Sequence, residues 1–236
     1  EQKAALRDPD TKRRLIEIAN KPYTGPEVIG TEARPPEWDW LLVLDTVAGP
    51  HRSVADIAKE RNADPVETMI DLALEHDLKL FFMQPIANEN QDDALEMMKH
   101  PRSVVTFSDA GAHVTQIMDN SLQSHIFSHW VREKQAFTLE EAVRLVTYDT
   151  ATHWGFHDRG LLREGMAADI VVFDPDVMGA RMPEVVTDLP AGAKRLKQMA
   201  NGVNATIVNG QILLRDNEHT GALPGKLLRG PLARHR

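Results

Sequence analysis

Val104-Val105-Thr106-Phe107-Ser108-Asp109-Ala110-Gly111-Ala112-His113 is the stretch on which the reading of this chain turns. An apolar, β-branched run ends in a hydroxyl and a carboxylate, followed by small residues and a histidine. Such a run predicts a buried strand that delivers Asp109 to the rim of a sheet, where α/β enzymes keep their reactive groups. The plain structural alternative is a strand-end aspartate that caps the next helix or turns the chain at Ala110-Gly111. Asp109 is the first candidate for chemistry, and His113 is the second. A loop histidine four residues on either faces the same pocket, as a substrate-binding or proton-transfer group, or is polar surface.

Toward the N-terminus, Leu41-Leu42-Val43-Leu44 and Leu78-Lys79-Leu80-Phe81-Phe82-Met83 are also nearly continuous apolar runs, as expected of strands covered on both faces. A helix is predicted between them. Asp64 caps it, Pro65 suits its first position, and Val66, Met69, Ile70, Ala73 and Leu74 form its apolar face. A second helix, Asp92 to Lys99, is predicted before the third run. Strand, helix, strand, helix, strand implies a parallel sheet with right-handed crossovers. Three or four strands are visible, whereas a complete (β/α)8 barrel takes about 250 residues. The expected fold class is therefore α/β, the C-terminal part of a (β/α)8 barrel.

Toward the C-terminus, a helix is predicted over Ser121 to Lys134, with Leu122, Ile126, Phe127, Trp130 and Val131 on one side. The next opens with the capping box Thr138-Leu139-Glu140-Glu141. From Gly160 the pattern changes to strands and turns. Asn209-Gly210 between Ile207-Val208 and Gln211-Ile212 is a two-residue hairpin signal, because a type I′ turn needs positive φ at both central residues. Met178 to Ala200, with Pro183, Pro190 and Gly192, reads as an irregular excursion. The expected organisation is residues 1–155 as the later barrel part with its following helices, 156–221 as a small β-sandwich segment, and 222–236 as a loosely ordered tail.

Twenty-seven Lys and Arg against thirty-five Asp and Glu give a formal charge of -8, with no basic stripe to neutralise phosphates. Nucleic acid is not an expected partner. The chain has no cysteine, which excludes disulfides and thiolate metal sites, so any metal must be held by His, Asp or Glu. No segment approaches the run of about 18 apolar residues that a membrane span needs, and there is no apolar signal core at Glu1-Gln2-Lys3-Ala4. A cytoplasmic location, no membrane partner, and a start partway through something larger are the expectations.

The order of these pieces is familiar. A final strand ending in Ser108-Asp109 is followed by Thr138-Leu139-Glu140-Glu141-Ala142, by Asp158-Arg159-Gly160-Leu161-Leu162-Arg163-Glu164-Gly165-Met166-Ala167-Ala168-Asp169-Ile170-Val171-Val172-Phe173-Asp174, and by Ile207-Val208-Asn209-Gly210. It resembles the amidohydrolase superfamily and, within it, the N-acyl-D-amino-acid deacylase (D-aminoacylase) group, whose tail resembles Asp216-Asn217-Glu218-His219-Thr220-Gly221-Ala222 and Leu223-Pro224-Gly225-Lys226. The resemblance runs from about residue 35 onward. It implies a zinc-dependent TIM barrel with a composite β-sandwich, one or two Zn ions, and Asp109 as metal ligand and as general base and acid toward the hydrolytic water. A carboxylate can take a proton from a bound water and return it to the leaving amide nitrogen.

The sequence departs from that family pattern at one point. The family's His-x-His pair is absent from this chain, and one carboxylate cannot make a site that wants about four ligands. The remaining ligands are expected outside the chain, in a missing N-terminal barrel half or a second chain, with a homo-oligomer as a further expectation. The expected activity is deacylation of a small-molecule N-acyl amino acid. The alternatives are a non-catalytic remnant serving binding or assembly, and a cyclic-amide hydrolase of the dihydroorotase or hydantoinase kind. His125 and His129, at i and i+4, have metal-binding spacing but lack the Glu of H-E-x-x-H, and read as a packed, hydrogen-bonded pair. His51 and His76 read as solvated or capping residues. Asn88 to Asp93 reads as a polar turn with an acidic first helical turn, and Asp169 and the Arg159 to Gly165 turn as structural.

Overall fold

The computed structural model describes residues 1–22, 36–117 and 120–229; of the predicted tail at 222–236, residues 230–236 lie outside the described residues. The chain divides into two compact units, Glu1–Gln91 and Asp92–Arg236.

In the first unit, helix α1 (Gln2–Arg7) meets α2 (Pro9–Ala19) at Asp8, whose carboxylate accepts the Thr11 amide at 2.8 Å. Strand β1 (Leu42–Leu44) leads to α3 (Val54–Arg61), α4 (Pro65–Glu75) and β2 (Phe81–Met83). Both α3 and α4 start on a side-chain cap. Ser53 accepts from the Asp56 amide at 3.0 Å, and Asp64 accepts from that of Val66 at 2.8 Å, with Pro65 at the first position where a missing N–H costs nothing. Asn62 turns the chain between them in the left-handed region, φ 49°. Leu41, Val43, Val54, Ile57 and Leu72 form the buried core, and Lys12 ties α2 to α4 through Asp71 (2.6 Å) and Glu67 (3.1 Å).

The expected parallel pairing is corrected here. Strands β1 and β2 are antiparallel, with Leu42 opposite Met83 and Leu44 opposite Phe81. A parallel neighbour is reached through one crossover helix, which returns the chain to its starting edge. This connection holds two helices, because Ser53 nucleates α3 ahead of the predicted α4, and the chain enters β2 running the other way.

The second unit opens with α5 (Gln91–Lys99), whose acidic first turn, Asp92 and Asp93, suits the helix dipole. Helix α6 (Leu122–His125) continues as π-helix over Ile126–Glu133, so the predicted helix is present but wider-wound than an α-helix for most of its length. Helix α7 (Leu139–Arg144) begins on the predicted capping box: the Thr138 hydroxyl accepts from the Glu141 amide while the Glu141 carboxylate accepts from the Thr138 amide. A π-turn, Leu145–Asp149, joins it to α8 (Thr150–His153). Ile126, Phe127, Trp130, Phe137, Ala142 and Met178 make the core of this unit.

The remaining strands all lie in this unit: β3 (Ile170–Phe173), β4 (Gly179–Ala180), β5 (Glu184–Leu189), β6 (Ala193–Lys197), β7 (Ala200–Asn201), β8 (Val203–Val208), β9 (Gln211–Arg215) and β10 (Glu218–His219). A four-stranded antiparallel sheet runs in the order β10-β9-β8-β3. Asn209 and Gly210 close the β8–β9 hairpin with φ of 47° and 78°, the geometry that the Asn-Gly pair selects. Asp169 holds that turn to the start of β3: its carboxylate accepts the Asn209 amide at 2.8 Å and pairs with the Arg159 guanidinium. The predicted irregular excursion is in fact another hairpin. Strands β5 and β6 pair around Pro190–Gly192, and β4 pairs with β7, so the Pro and Gly that suggested irregularity supply its turn.

Gly202, φ 77°, sits where a Cβ would lie 2.7 Å from the Met178 nitrogen and 3.0 Å from the Asp174 carbonyl oxygen. Gly202→Ala is expected to destabilise the protein by about 1–3 kcal/mol, through φ strain and a backbone clash that no side-chain motion relieves. A denaturant midpoint unchanged from the parent would contradict this.

Candidate active site

Asp109 and His113 share one short turn. The Ala110 amide donates to the Ser108 hydroxyl at 3.3 Å and the Ala112 amide to the Asp109 carbonyl at 3.2 Å, while Gly111 (φ 106°) and His113 (φ 44°) take positive φ. Both Asp109 and His113 are exposed, and the His113 carbonyl accepts from Gln116 (2.7 Å) and Ile117 (3.1 Å). This is a tight, outward-facing turn that presents a carboxylate and an imidazole four positions apart.

The strand expected to deliver them is not formed. Val104 to Phe107 is outside any strand, Val104 and Val105 are half-buried, and Phe107 is 79% exposed. A strand exists through the ladder it shares with a neighbour, and among the described residues none lies alongside this run. Long-range contacts to its backbone reach the segment from the second unit. The Thr150 hydroxyl reaches the Val105 carbonyl (2.5 Å), and the Leu196 amide of β6 donates to the Val114 carbonyl (2.8 Å). Spacing in the sequence carries no signal for Thr150, whose role depends on a contact with a residue 45 positions away.

Among the described residues, no group of three or more His, Asp or Glu side chains is gathered so that it could hold a metal ion. Asp109 by itself does not fit a zinc site, which wants about four ligands.

His125 and His129 stack at 4.8 Å between ring centroids, 14° from parallel, and His129 Nδ1 lies 2.9 Å from the Glu133 carboxylate. The two rings stack on a helix surface, and the hydrogen bond runs from His129 to Glu133 rather than between them. Desolvation of the covered ring face, then the proximity of His129, holds the His125 imidazole below the usual histidine range. The sign follows from linkage. With the folded pKa depressed, the unfolded chain takes the proton first as pH falls below about 6.5, and stability is lost from there down to the folded value. Between pH 7 and 5 the melting temperature is expected to fall further in the parent than in His125→Gln; equal falls would refute the assignment.

His76 is the C-terminal cap residue of α4, in keeping with a capping role. His51 has a buried Nδ1 with no hydrogen-bond partner among the described residues. Arg132, which sequence patterns do not single out, donates to the Pro175 (3.1 Å) and Met178 (2.9 Å) carbonyls and so ties the π-helix to the chain entering β4.

The described residues set a carboxylate on a tight turn, followed by a helix with a capping box and a β module closed at Asn209-Gly210. Residues 7–214 match the model of the amidohydrolase family, and the chain belongs to that family; within it, the chain is D-aminoacylase-like. It is 30% identical over 176 residues to an N-acyl-D-aspartate deacylase of Alcaligenes xylosoxydans xylosoxydans, covering 74% of this chain and 30% of that protein. Over 51 residues it is 41% identical to a dihydroorotase of Lactobacillus johnsonii, covering 22% of this chain and 12% of that protein. A crystal structure of N-acyl-D-glutamate deacylase from Bordetella bronchiseptica, complexed with zinc and a phosphonate inhibitor, is similar at 24% identity and a TM-score of 0.48, over 82% of this chain and 38% of that one. The chain thus spans under a third of the length of either curated relative.

Proposed function

We propose that this chain is part of a hydrolase that removes the acyl group from N-acyl-D-amino acids, with Asp109 as its general base and acid. The observation that carries the reading is the 30% identity to an N-acyl-D-aspartate deacylase across 74% of the chain. The Asp109 carboxylate takes a proton from the attacking water as oxygen bonds to the acyl carbon. It then returns that proton to the amide nitrogen as the C–N bond breaks, giving a carboxylate and a free amine. His113, on the same turn, binds the substrate.

In this reading residues 1–155 form the later part of a (β/α)8 barrel and 156–221 a β-sandwich segment. The ligands of one or two zinc ions come from an N-terminal barrel half or a second chain, and the assembled enzyme works in the cytoplasm. Among the described residues no helix is long and apolar enough to cross a membrane.

A second reading, opening of a cyclic amide, is favoured by the 41% identity to a dihydroorotase, which spans 51 residues against 176 for the deacylase. The two are separated by incubating the assembled enzyme with N-acyl-D-amino acids, N-acyl-L-amino acids and cyclic amides. Release of free D-amino acid is the expected result. Ring opening alone would replace the proposal with the second reading, and no hydrolysis of any amide would leave the binding-module alternative.

A further inference from the structure

We infer that Asn209 is a deamidation site that the native fold holds closed, with Ala168, Asp169 and Pro224 as the latch, whichever amide the enzyme hydrolyses. Asparagine followed by glycine is open to this chemistry because glycine has no side chain to shield its backbone nitrogen. The Gly210 nitrogen loses its proton and bonds to the side-chain carbonyl carbon of Asn209. The bond from that carbon to Nδ2 breaks, and ammonia leaves behind a five-membered succinimide ring. Water then opens the ring at either carbonyl, giving aspartate or isoaspartate at position 209. One water is taken up and one ammonia released, with no oxidant or reductant.

The two residues that invite the reaction also close the β8–β9 hairpin, and the fold ties both reacting groups. The Gly210 amide donates to the Ala168 carbonyl at 2.9 Å, so the proton that must leave is held in a hydrogen bond. The Asn209 side chain donates through Nδ2 to the Pro224 carbonyl at 2.8 Å, which fixes the carbon under attack. The Asn209 amide donates to the Asp169 carboxylate at 2.8 Å, and that carboxylate is paired with Arg159. Ring closure swings the Gly210 nitrogen onto the side chain and so breaks the turn whose φ angles are 47° and 78°. The reaction therefore runs from an opened turn, at a rate set by how often this corner of the β module opens.

The product does not fit the latch. Aspartate at 209 sets a carboxylate oxygen where Nδ2 donates, against the Pro224 carbonyl oxygen, and adds a negative charge beside Asp169. Isoaspartate inserts a methylene into the backbone of a turn that the Asn-Gly pair specifies. Either product cuts the tie between Pro224 and the hairpin, and the turn does not close again.

The test follows conversion at 209 by mass spectrometry of the peptide spanning 203–215, with the assembled enzyme held in mildly alkaline buffer. The denatured chain is expected to convert, and the native enzyme to convert more slowly by roughly 10–30-fold, the worth of opening two hydrogen bonds. Two variants open the latch while leaving Asn209-Gly210 in place. Asp169→Ala removes the acceptor of the Asn209 amide, and a chain ending at Gly221 removes the Pro224 carbonyl. Each is expected to convert faster than the parent, and the shortened chain carries the test should Asp169→Ala fail to fold. Asn209→Gly, which keeps the positive φ and has no side-chain amide, is expected to show no conversion. Equal rates in native and denatured parent, parent-like rates in both latch variants, or no conversion in the denatured chain would each overturn the inference.

Discussion

Asp109→Asn is expected to lower kcat for N-acyl-D-amino acid hydrolysis by roughly 10²–10⁴-fold, the usual worth of a positioned proton-transfer group. The substitution keeps the size of the side chain but leaves an amide that neither takes a proton from water nor returns one to nitrogen. The turn itself is built from the Ala112 amide on the Asp109 carbonyl and the Ala110 amide on Ser108, neither of which involves the carboxylate. Equal turnover in parent and variant would remove Asp109 from the chemistry.

Phe127→Ala is expected to have the largest effect on stability, a loss of about 3–5 kcal/mol by denaturant unfolding. The ring is 5% exposed, lies 5.0 Å from that of Phe173, and belongs to the cluster with Ile126, Trp130, Phe137, Ala142 and Met178. Truncation would leave a cavity between the π-helix and β3, with rigid secondary structure on both sides. Phe107→Ala is the matched control. With 79% of the residue exposed, its loss is expected to fall within about 0.5 kcal/mol, as for ordinary surface positions. A large loss at Phe107 would mean that the run is buried as a strand after all.

The parts of this fold that were legible in the sequence are those written in local chemistry. Asp64-Pro65, the Thr138 to Glu141 box and Asn209-Gly210 each specify a cap or a turn through atoms a few residues apart, and each is formed. Strand direction was not legible, because it depends on how many helices lie between β1 and β2, and Ser53 opens α3 ahead of the helix that apolar periodicity predicts. The 178–200 segment was misread for a related reason: Pro190 and Gly192 mark a turn, and only pairing shows whether strands flank it. Asp109 and His113 could be picked out from their setting after an apolar run. Their support could not, because Thr150 and Leu196 reach the segment from 45 and 82 residues further along the chain, a relation that no periodicity encodes.

In the proposed reading Asp109 is one member of a site whose other ligands come from outside residues 1–236, and among the described residues no group of three or more His, Asp or Glu side chains could hold a metal ion. The most direct measurement is the zinc content of purified residues 1–236 after dialysis against a weak chelator. The expected result is zinc far below one ion per chain. One or more tightly held ions per chain, lost on Asp109→Asn, would contradict the account by showing that these residues assemble the site by themselves.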